Sequence, residues 1–222
     1  MTAPEELSVR LSDTTRIEAF SDGVLAIAIT LLVIEVRPPV HDSGRLLTAL
    51  LAQWPAYLGY LTSFLYIAVI WVNHHAAFRR IRFIDKGLNW ANLGILISAA
   101  FLPFPTAVLS TTLQRPDVAD ARTAVALYAL VAAVMCVSWL VFFCYLGRRP
   151  HLVEDDVEDG FFRKERVRAW VGVVLYACGG ALGYLVSPVT SLLVFLALPV
   201  FYALTSEGLT DLRDPRRRSR VS

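Results

Sequence analysis

Charged residues are scarce in this chain. They make up 18% of its 222 residues, whereas hydrophobic residues make up 56%. The shortage excludes an ordinary soluble domain, in which about a quarter of the residues are charged. A composition so apolar is typical of a protein that crosses a membrane several times. The sequence therefore predicts an all-α integral membrane protein embedded in a lipid bilayer.

Several other features are missing as well. No short apolar stretch with a small-residue cleavage site precedes Ile17, so we expect no cleavable signal peptide. The three cysteines, Cys136, Cys144 and Cys178, lie in apolar runs without metal-binding spacing, so we expect neither a disulfide nor a metal site. Nucleophile elbows, phosphate loops and metal-hydrolase helices are absent. We therefore expect no enzyme, no cofactor and no nucleic-acid partner.

The stretch Arg16–Val36 is long and apolar enough to cross a bilayer, since a helix of that length spans about 31 Å. An acid, Asp22, nevertheless lies well inside it beside Ser21. A carboxylate exposed to lipid costs about 2–3 kcal/mol or more, so Asp22 should face protein or water and have a partner.

The same helix has an apolar stripe on another face. At about 100° per residue, Ile27, Leu31 and Ile34 share this stripe with Thr30 at its edge, whereas Asp22 lies about 140° away from Ile27. The acid can therefore point to neighbouring helices while the stripe points elsewhere. Spacing alone leaves open whether the stripe contacts lipid or sibling helices, or lines an enclosed space.

Six apolar segments are predicted to cross the membrane, at about 16–36, 46–78, 88–108, 123–146, 167–186 and 189–204. The second is longer than a bilayer requires, so it should tilt, protrude or kink, with Pro55 as a possible bend. Pro103 and Pro105 interrupt the third. Ser12 and Asp13 are plausible caps for the first helix.

The distribution of Lys and Arg predicts the orientation. With the N-terminus inside and six crossings, the outer segments hold only four of the 21 cationic residues, namely Arg37, Arg45, Arg115 and Arg122. Cationic residues concentrate on the cytoplasmic side, so both termini should be cytoplasmic. We divide the chain into a polar tail, 1–15, one transmembrane domain, 16–206, and a basic tail, 207–222.

Polar residues of the first three spans should lie at similar depth near the inner membrane surface. They are Ser21, Asp22, Trp71, Asn73, His74, His75, Asn89 and Asn92. A carboxylate near indole, imidazole and amide donors forms a satisfied buried network. We interpret this network as a structural lock between helices, and a proton relay is the alternative. The adjacent histidines point about 100° apart and cannot easily share one metal.

Two further patterns concern packing and assembly. Gly179 and Gly183 have the GxxxG spacing, which favours close helix packing. No internal repeat is visible, so a pore that needs several copies of the first helix requires several chains.

A family resemblance emerges from these residues. Arg16, Phe20, Ser21 and Asp22 form an RxxxFSD motif directly ahead of an apolar span, which resembles the signature of the transmembrane protein 175 family of potassium channels in its single-repeat prokaryotic form. The segments WVNHHAAF, 71–78, and FLPFPT, 101–106, are similar to that family's second and third helices.

The resemblance implies a leak-like potassium channel in a bacterial plasma membrane, formed by a homotetramer whose first helices surround the pore. Ile27 then matches the first constriction position, Leu31 and Ile34 form the next layers, and Thr30 matches a nearby hydroxyl position. The positions that match the helix-joining role are Arg16, Asp22, Trp71, His74 or His75, and Asn89.

Two other functions stay open. A proton-coupled secondary transporter would use Asp22 and a histidine of the second helix, although such transporters usually contain internal repeats. A membrane scaffold would conduct nothing.

Overall fold

The computed structural model of the chain describes residues 3–114, 117–155, 157–158 and 160–205, with side chains described from Thr14 to Leu204. The architecture is helical, and one isolated bridge between two loops is the sole β-type pairing in the described part. The helices are α1 (Ala3–Ile34), α2 (Leu46–Ala52), α3 (Trp54–Phe78), α4 (Lys86–Phe101), α5 (Pro103–Thr112), α6 (Val118–Gly147), α7 (Phe161–Leu185) and α8 (Pro188–Thr205).

Five helical segments are long and apolar enough to cross a membrane, counting only the residues that the structure describes. They are Thr14–Ile34, Trp54–Phe78, Lys86–Thr112, Val118–Gly147 and Phe161–Leu185. A shorter apolar stretch in α8, Pro188–Leu204, follows the fifth. The prediction of an all-helical, multi-pass membrane protein is confirmed, and each predicted span coincides with a helix or helix pair.

Prolines break two of the predicted spans, as expected. The second divides at Gln53 into α2 and α3, with Pro55 in the first turn of α3, where its missing N–H leaves no hydrogen bond unmade. The third divides at Leu102, and Pro103 begins α5.

One expectation about α1 was wrong. Ser12 and Asp13 do not cap this helix, because α1 already begins at Ala3 and continues through them. No proline or glycine lies between Pro4 and Gly23 to end a helix there, and Pro4 suits a first helical turn.

The helix α6 is the centre of the bundle. It packs most extensively on α7 and also contacts α4, α5 and α8, whereas α1 packs on α3, α4 and α5. Tyr128, Met135 and Phe142 of α6 are almost completely buried. The helices α1 and α7 therefore pack on different neighbours.

The loops after α3 and α6 are joined at one end of the bundle. Ile81 and Val153 form an isolated antiparallel bridge, and the N–H groups of Arg82 and Phe83 donate to the Leu152 carbonyl. Arg82 also lies 3.4 Å from the Asp155 carboxylate. Because α3 and α4 share the first of these loops, the pairing connects their ends to α6 and α7.

Asp85 anchors the same region. Its carboxylate accepts hydrogen bonds from the Leu88 N–H at 2.8 Å and from the Tyr145 hydroxyl at 2.8 Å, and Arg149 lies 3.8 Å away. Partial burial raises the pKa of Asp85, but these hydrogen bonds and the arginine charge outweigh it and leave the pKa below its ordinary value. Asp85 therefore caps α4 as a carboxylate.

The glycines of α7 lie where it meets its neighbours. A Cβ at Gly180 would come within 2.5 Å of the Ala129 Cβ on α6, and one at Gly183 would contact Ser191 and Val125. Gly94 of α4 is different, because a Cβ there would meet only Ser138 at 3.7 Å, an ordinary contact. The prediction that these α7 glycines allow close packing agrees with this geometry.

We predict that Gly180→Ala lowers the thermal unfolding midpoint of the detergent-solubilised protein, because the short Ala129 side chain cannot move aside. Overpacking of this kind costs about 1–3 kcal/mol. Gly94→Ala is the matched control and should leave the midpoint unchanged or raise it slightly. Equal midpoints for the two variants would contradict the close approach of α6 and α7.

Candidate functional site

The helix α1 has one face inside the bundle and one outside. Leu25, Ala28 and Leu32 are buried against α3, α4 and α5. The side chains of the predicted stripe are exposed, with Ile27 at 60%, Leu31 at 41% and Ile34 at 66% of their full accessibility. The structure thus leaves the stripe uncovered within one chain.

Polar contacts attach the middle of α1 to α3. The indole Nε1–H of Trp71 donates to the Asp22 carboxylate at 3.0 Å. One turn earlier, Glu18 lies 3.0 Å from Nδ1 of His75, an ion-pair distance without an aligned hydrogen bond. The Trp71 and His75 rings are nearly parallel, with centroids 6.2 Å apart.

A second, fully buried chain of hydrogen bonds connects α1, α4 and α3. Ser21 donates to the Ile17 carbonyl at 2.8 Å and accepts from the Asn92 amide at 3.0 Å. The Asn92 carbonyl oxygen faces Nε2 of His74 at 2.8 Å. Since the Asn92 amide nitrogen donates to Ser21, the Asn92 carbonyl oxygen is left to accept from Nε2–H of His74.

This chain of hydrogen bonds suits a structural lock between helices better than a proton relay. It ends on a backbone carbonyl, and the Asn92 amide within it cannot pass a proton on as an imidazole or carboxyl group can. Neither histidine is hydrogen-bonded to Asp22, which is held by Trp71 instead. The geometry therefore joins three helices while keeping the acid and His74 on separate hydrogen bonds.

Three of the predicted site residues lie beside a cavity. Arg16, Phe20 and Asn89 line this cavity of about 420 Å³, together with Asp85 and Lys86. The resemblance implied Asn89 as the partner from the third span, whereas the structure places Asn92 next to His74.

Sequence periodicity contained a signal for Asn92. It lies four residues after Leu88 and three before Ile95, both of which are buried, so it belongs to the core face of α4. Asn89 is next to Trp90, which is 74% exposed. Glu18 was missed entirely, although it lies four residues before Asp22 and therefore on nearly the same face of α1.

Comparisons with known proteins identify the relatives of this chain. The sequence model of the family described as the endosomal/lysosomal potassium channel TMEM175 matches residues 16–103. A protein of Streptomyces collinus named a potassium channel is 39% identical over 203 residues, which cover 91% of each chain. The chain belongs to the TMEM175 family.

Further TMEM175 relatives support this membership along most of the chain. A Chamaesiphon minutus protein named a potassium channel is 36% identical over 213 residues, 93% of this chain and 98% of that one. The crystal structure of a lysosomal potassium-selective channel TMEM175 homolog from Chamaesiphon minutus superposes with a TM-score of 0.77 at 36% identity. It covers 88% of this chain and 98% of that chain.

Membership of the TMEM175 family confirms that this chain is not an enzyme, because the relatives are ion channels. It indicates no cofactor either. Within the part that the structure describes, no group of three or more His, Cys, Asp or Glu side chains could hold a metal ion. The resemblance read from the RxxxFSD motif is therefore confirmed.

We predict that Asn92→Leu destabilises the fold, because Ser21 and His74 both lose their buried partner. Each hydrogen bond of this kind inside a membrane contributes about 0.6–2 kcal/mol. Asn89→Leu makes the same chemical change three residues earlier and should alter stability by less than about 0.5 kcal/mol. Thermal unfolding in detergent measures both, and a larger loss for Asn89→Leu would disprove the assignment.

Proposed function

We propose that this member of the TMEM175 family is a leak-like potassium channel, formed by a homotetramer in which α1 lines the pore. Its closest contacts with the permeating ion would come from rings of Ile27, Leu31 and Ile34. The names of its bacterial relatives and the potassium-selective homolog that it superposes on support potassium as the permeant ion.

The exposed stripe of α1 is the observation that carries the proposal. An apolar stripe left uncovered within one membrane-embedded chain faces either lipid or another subunit. Here the acid is held by α3, Leu25 and Leu32 fill the contact with the bundle, and Ile27 and Ile34 are left uncovered. Four copies around a common axis would enclose these side chains in layers.

Selectivity in such a pore would arise from dehydration. Apolar rings offer an ion no replacement for its water shell, so the ion that loses water more easily passes more easily. Thr30 adds one oxygen near the stripe. Its hydroxyl donates to the Ile27 carbonyl at 2.9 Å, so its lone pairs are free to face a cation.

The topology that we propose has six spans and both termini in the cytoplasm. The five long helical segments and the shorter α8 support six crossings. With that topology, the paired loops around Ile81 and Val153 lie on the cytoplasmic side, where the inner segments carry most of the basic residues. The bacterial relatives support placement in a plasma membrane.

The arrangement of Asp22 and His74 weighs against the proton-coupled transporter. Such a transporter needs titratable groups that exchange protons, and here the two groups bond to different partners. The human relative is named a proton channel, is 27% identical over 180 residues and matches over 35% of its own length. Proton flux should therefore be measured together with potassium and sodium flux.

Purified protein in liposomes tests the proposal directly. With a potassium gradient and no pH gradient, we expect potassium flux that exceeds sodium flux under the matched gradient, and none in protein-free liposomes. Flux of neither cation would identify a scaffold, and flux that requires a pH gradient would identify a proton-coupled transporter. A pH-sensitive dye in the lumen detects proton conduction in the same vesicles.

We predict that Ile27→Asn raises sodium permeability relative to potassium, because an amide ring wets the constriction and supplies oxygen ligands. Reversal potentials under bi-ionic conditions measure the ratio. Val134→Asn is the control, since it places the same amide on an exposed face of α6. An unchanged ratio in Ile27→Asn would remove this residue from the constriction.

A further inference from the structure

Three arginines gather where α6 ends and α7 begins. Arg148 directly follows α6, and Arg163 and Arg166 lie in the first two turns of α7. None of them forms an ion pair within the described residues. Three of the described acids nearby lie close to other cations: Asp155 pairs with Arg82, Glu158 lies 3.9 Å from Lys164, and Glu165 is 2.6 Å from Arg168.

The two helix ends meet at this cluster. A Cβ at Gly147 would lie 2.6 Å from a guanidinium nitrogen of Arg166, so this arginine lies against the last residue of α6, next to Arg148. Arg148 and Arg163 are exposed and Arg166 is half-buried. Within the described residues these guanidinium groups have no carboxylate partner, and they lie on one surface.

Below each helix end an apolar stripe continues into the membrane. On α7, Val167, Trp170 and Val174 recur at helical spacing and are each more than half exposed. On α6, Val141 and Val137 are exposed about two and three turns before the helix ends. The cationic side chains lie above, an aromatic side chain lies at the boundary, and aliphatic side chains lie beneath. This order matches that of an anionic phospholipid, whose charged headgroup lies above its acyl chains.

This surface lies away from the proposed pore. The helix α7 packs on α6 and α8, whereas α1 packs on α3, α4 and α5. If α1 lines the central axis, α7 lies at the periphery, where lipid has access. The inference that follows needs only that these helices cross a bilayer, so failure of potassium conduction would leave it standing.

We propose that Arg148, Arg163 and Arg166 bind the phosphate of an anionic phospholipid whose acyl chains lie along the stripes of α6 and α7. Guanidinium groups suit a phosphate because they donate two parallel hydrogen bonds to it. The adjacent apolar stripes distinguish a lipid from free phosphate, since a soluble anion would not use them.

Quenching of Trp170 by brominated lipid tests this site. The protein is reconstituted in phosphatidylcholine vesicles that contain a fixed fraction of brominated phosphatidylglycerol or of brominated phosphatidylcholine, and the signal of Trp170→Phe protein is subtracted. We expect stronger quenching by brominated phosphatidylglycerol. Arg148→Gln/Arg163→Gln should remove most of the excess, at about a fivefold loss of preference per arginine.

The control variant Arg37→Gln/Arg45→Gln removes two exposed arginines from the other end of the bundle and should keep the excess. Equal quenching by the two brominated lipids in the wild-type protein would overturn the proposal, and so would equal loss in both double variants. Sodium phosphate is compared with sodium chloride at equal ionic strength. Selective loss of the excess in phosphate would overturn the lipid assignment in favour of a soluble-anion site.

If the α6–α7 variant does not elute as folded protein, the wild-type measurement over a range of sodium chloride concentrations decides. A charge-dependent excess falls as salt rises. An excess that does not respond to salt would contradict binding by the arginines.

Discussion

The requirement that every polar group inside a membrane finds a partner governs how α1 is placed. Ser21, Asn92 and His74 satisfy one another across three helices, and Trp71 satisfies Asp22 beside them. Rotating α1 by even one residue position would separate both sets of partners at once. These hydrogen bonds therefore fix which face of α1 enters the bundle, and by exclusion they fix that Ile27 and Ile34 face outwards.

The rest of the subunit supports that placement from a distance. The α6 helix, buried through residues such as Tyr128 and Phe142, joins the α3–α4 side to the α7–α8 side. The loop bridge between Ile81 and Val153 repeats this connection at the inner end. A single chain thus has a rigid body with one apolar helix face left uncovered, which is the arrangement that a symmetric assembly about α1 requires.

Much of this could be predicted from the sequence. Apolar runs located the spans, Pro55 indicated the bend of the second, and Pro103 and Pro105 indicated the interruption of the third, because hydrophobic length and missing N–H groups act locally. The RxxxFSD motif indicated the family. The partners of the polar residues were less accessible, because depth along a helix does not determine rotation. Periodicity places Asn92 rather than Asn89 on the core face of α4, but only tertiary packing decides that its partner there is Ser21.

The start of α1 shows the same limit in another form. Ser12 and Asp13 are good capping residues, yet capping preference is weak when a helix can simply continue, and α1 extends back to Ala3. Whether the exposed stripe faces a symmetry axis likewise depends on how several chains assemble. One chain's residues show that the stripe is uncovered, and the assembly decides what covers it.

Between Glu18 and Asp22, α1 makes polar contacts with α3 and α4 through Glu18, Ser21 and Asp22. From Gly23 to Ile34 the described contacts of α1 with the bundle are apolar, and the next polar contact is the hydrogen bond from the Gln53 amide to the Arg37 carbonyl at 2.9 Å. The stretch that carries Ile27, Leu31 and Ile34 therefore lies between two polar attachments and, among the described residues, contains none itself. In the proposed homotetramer, this stretch is where the spacing between α1 helices can change without breaking a hydrogen bond to the bundle.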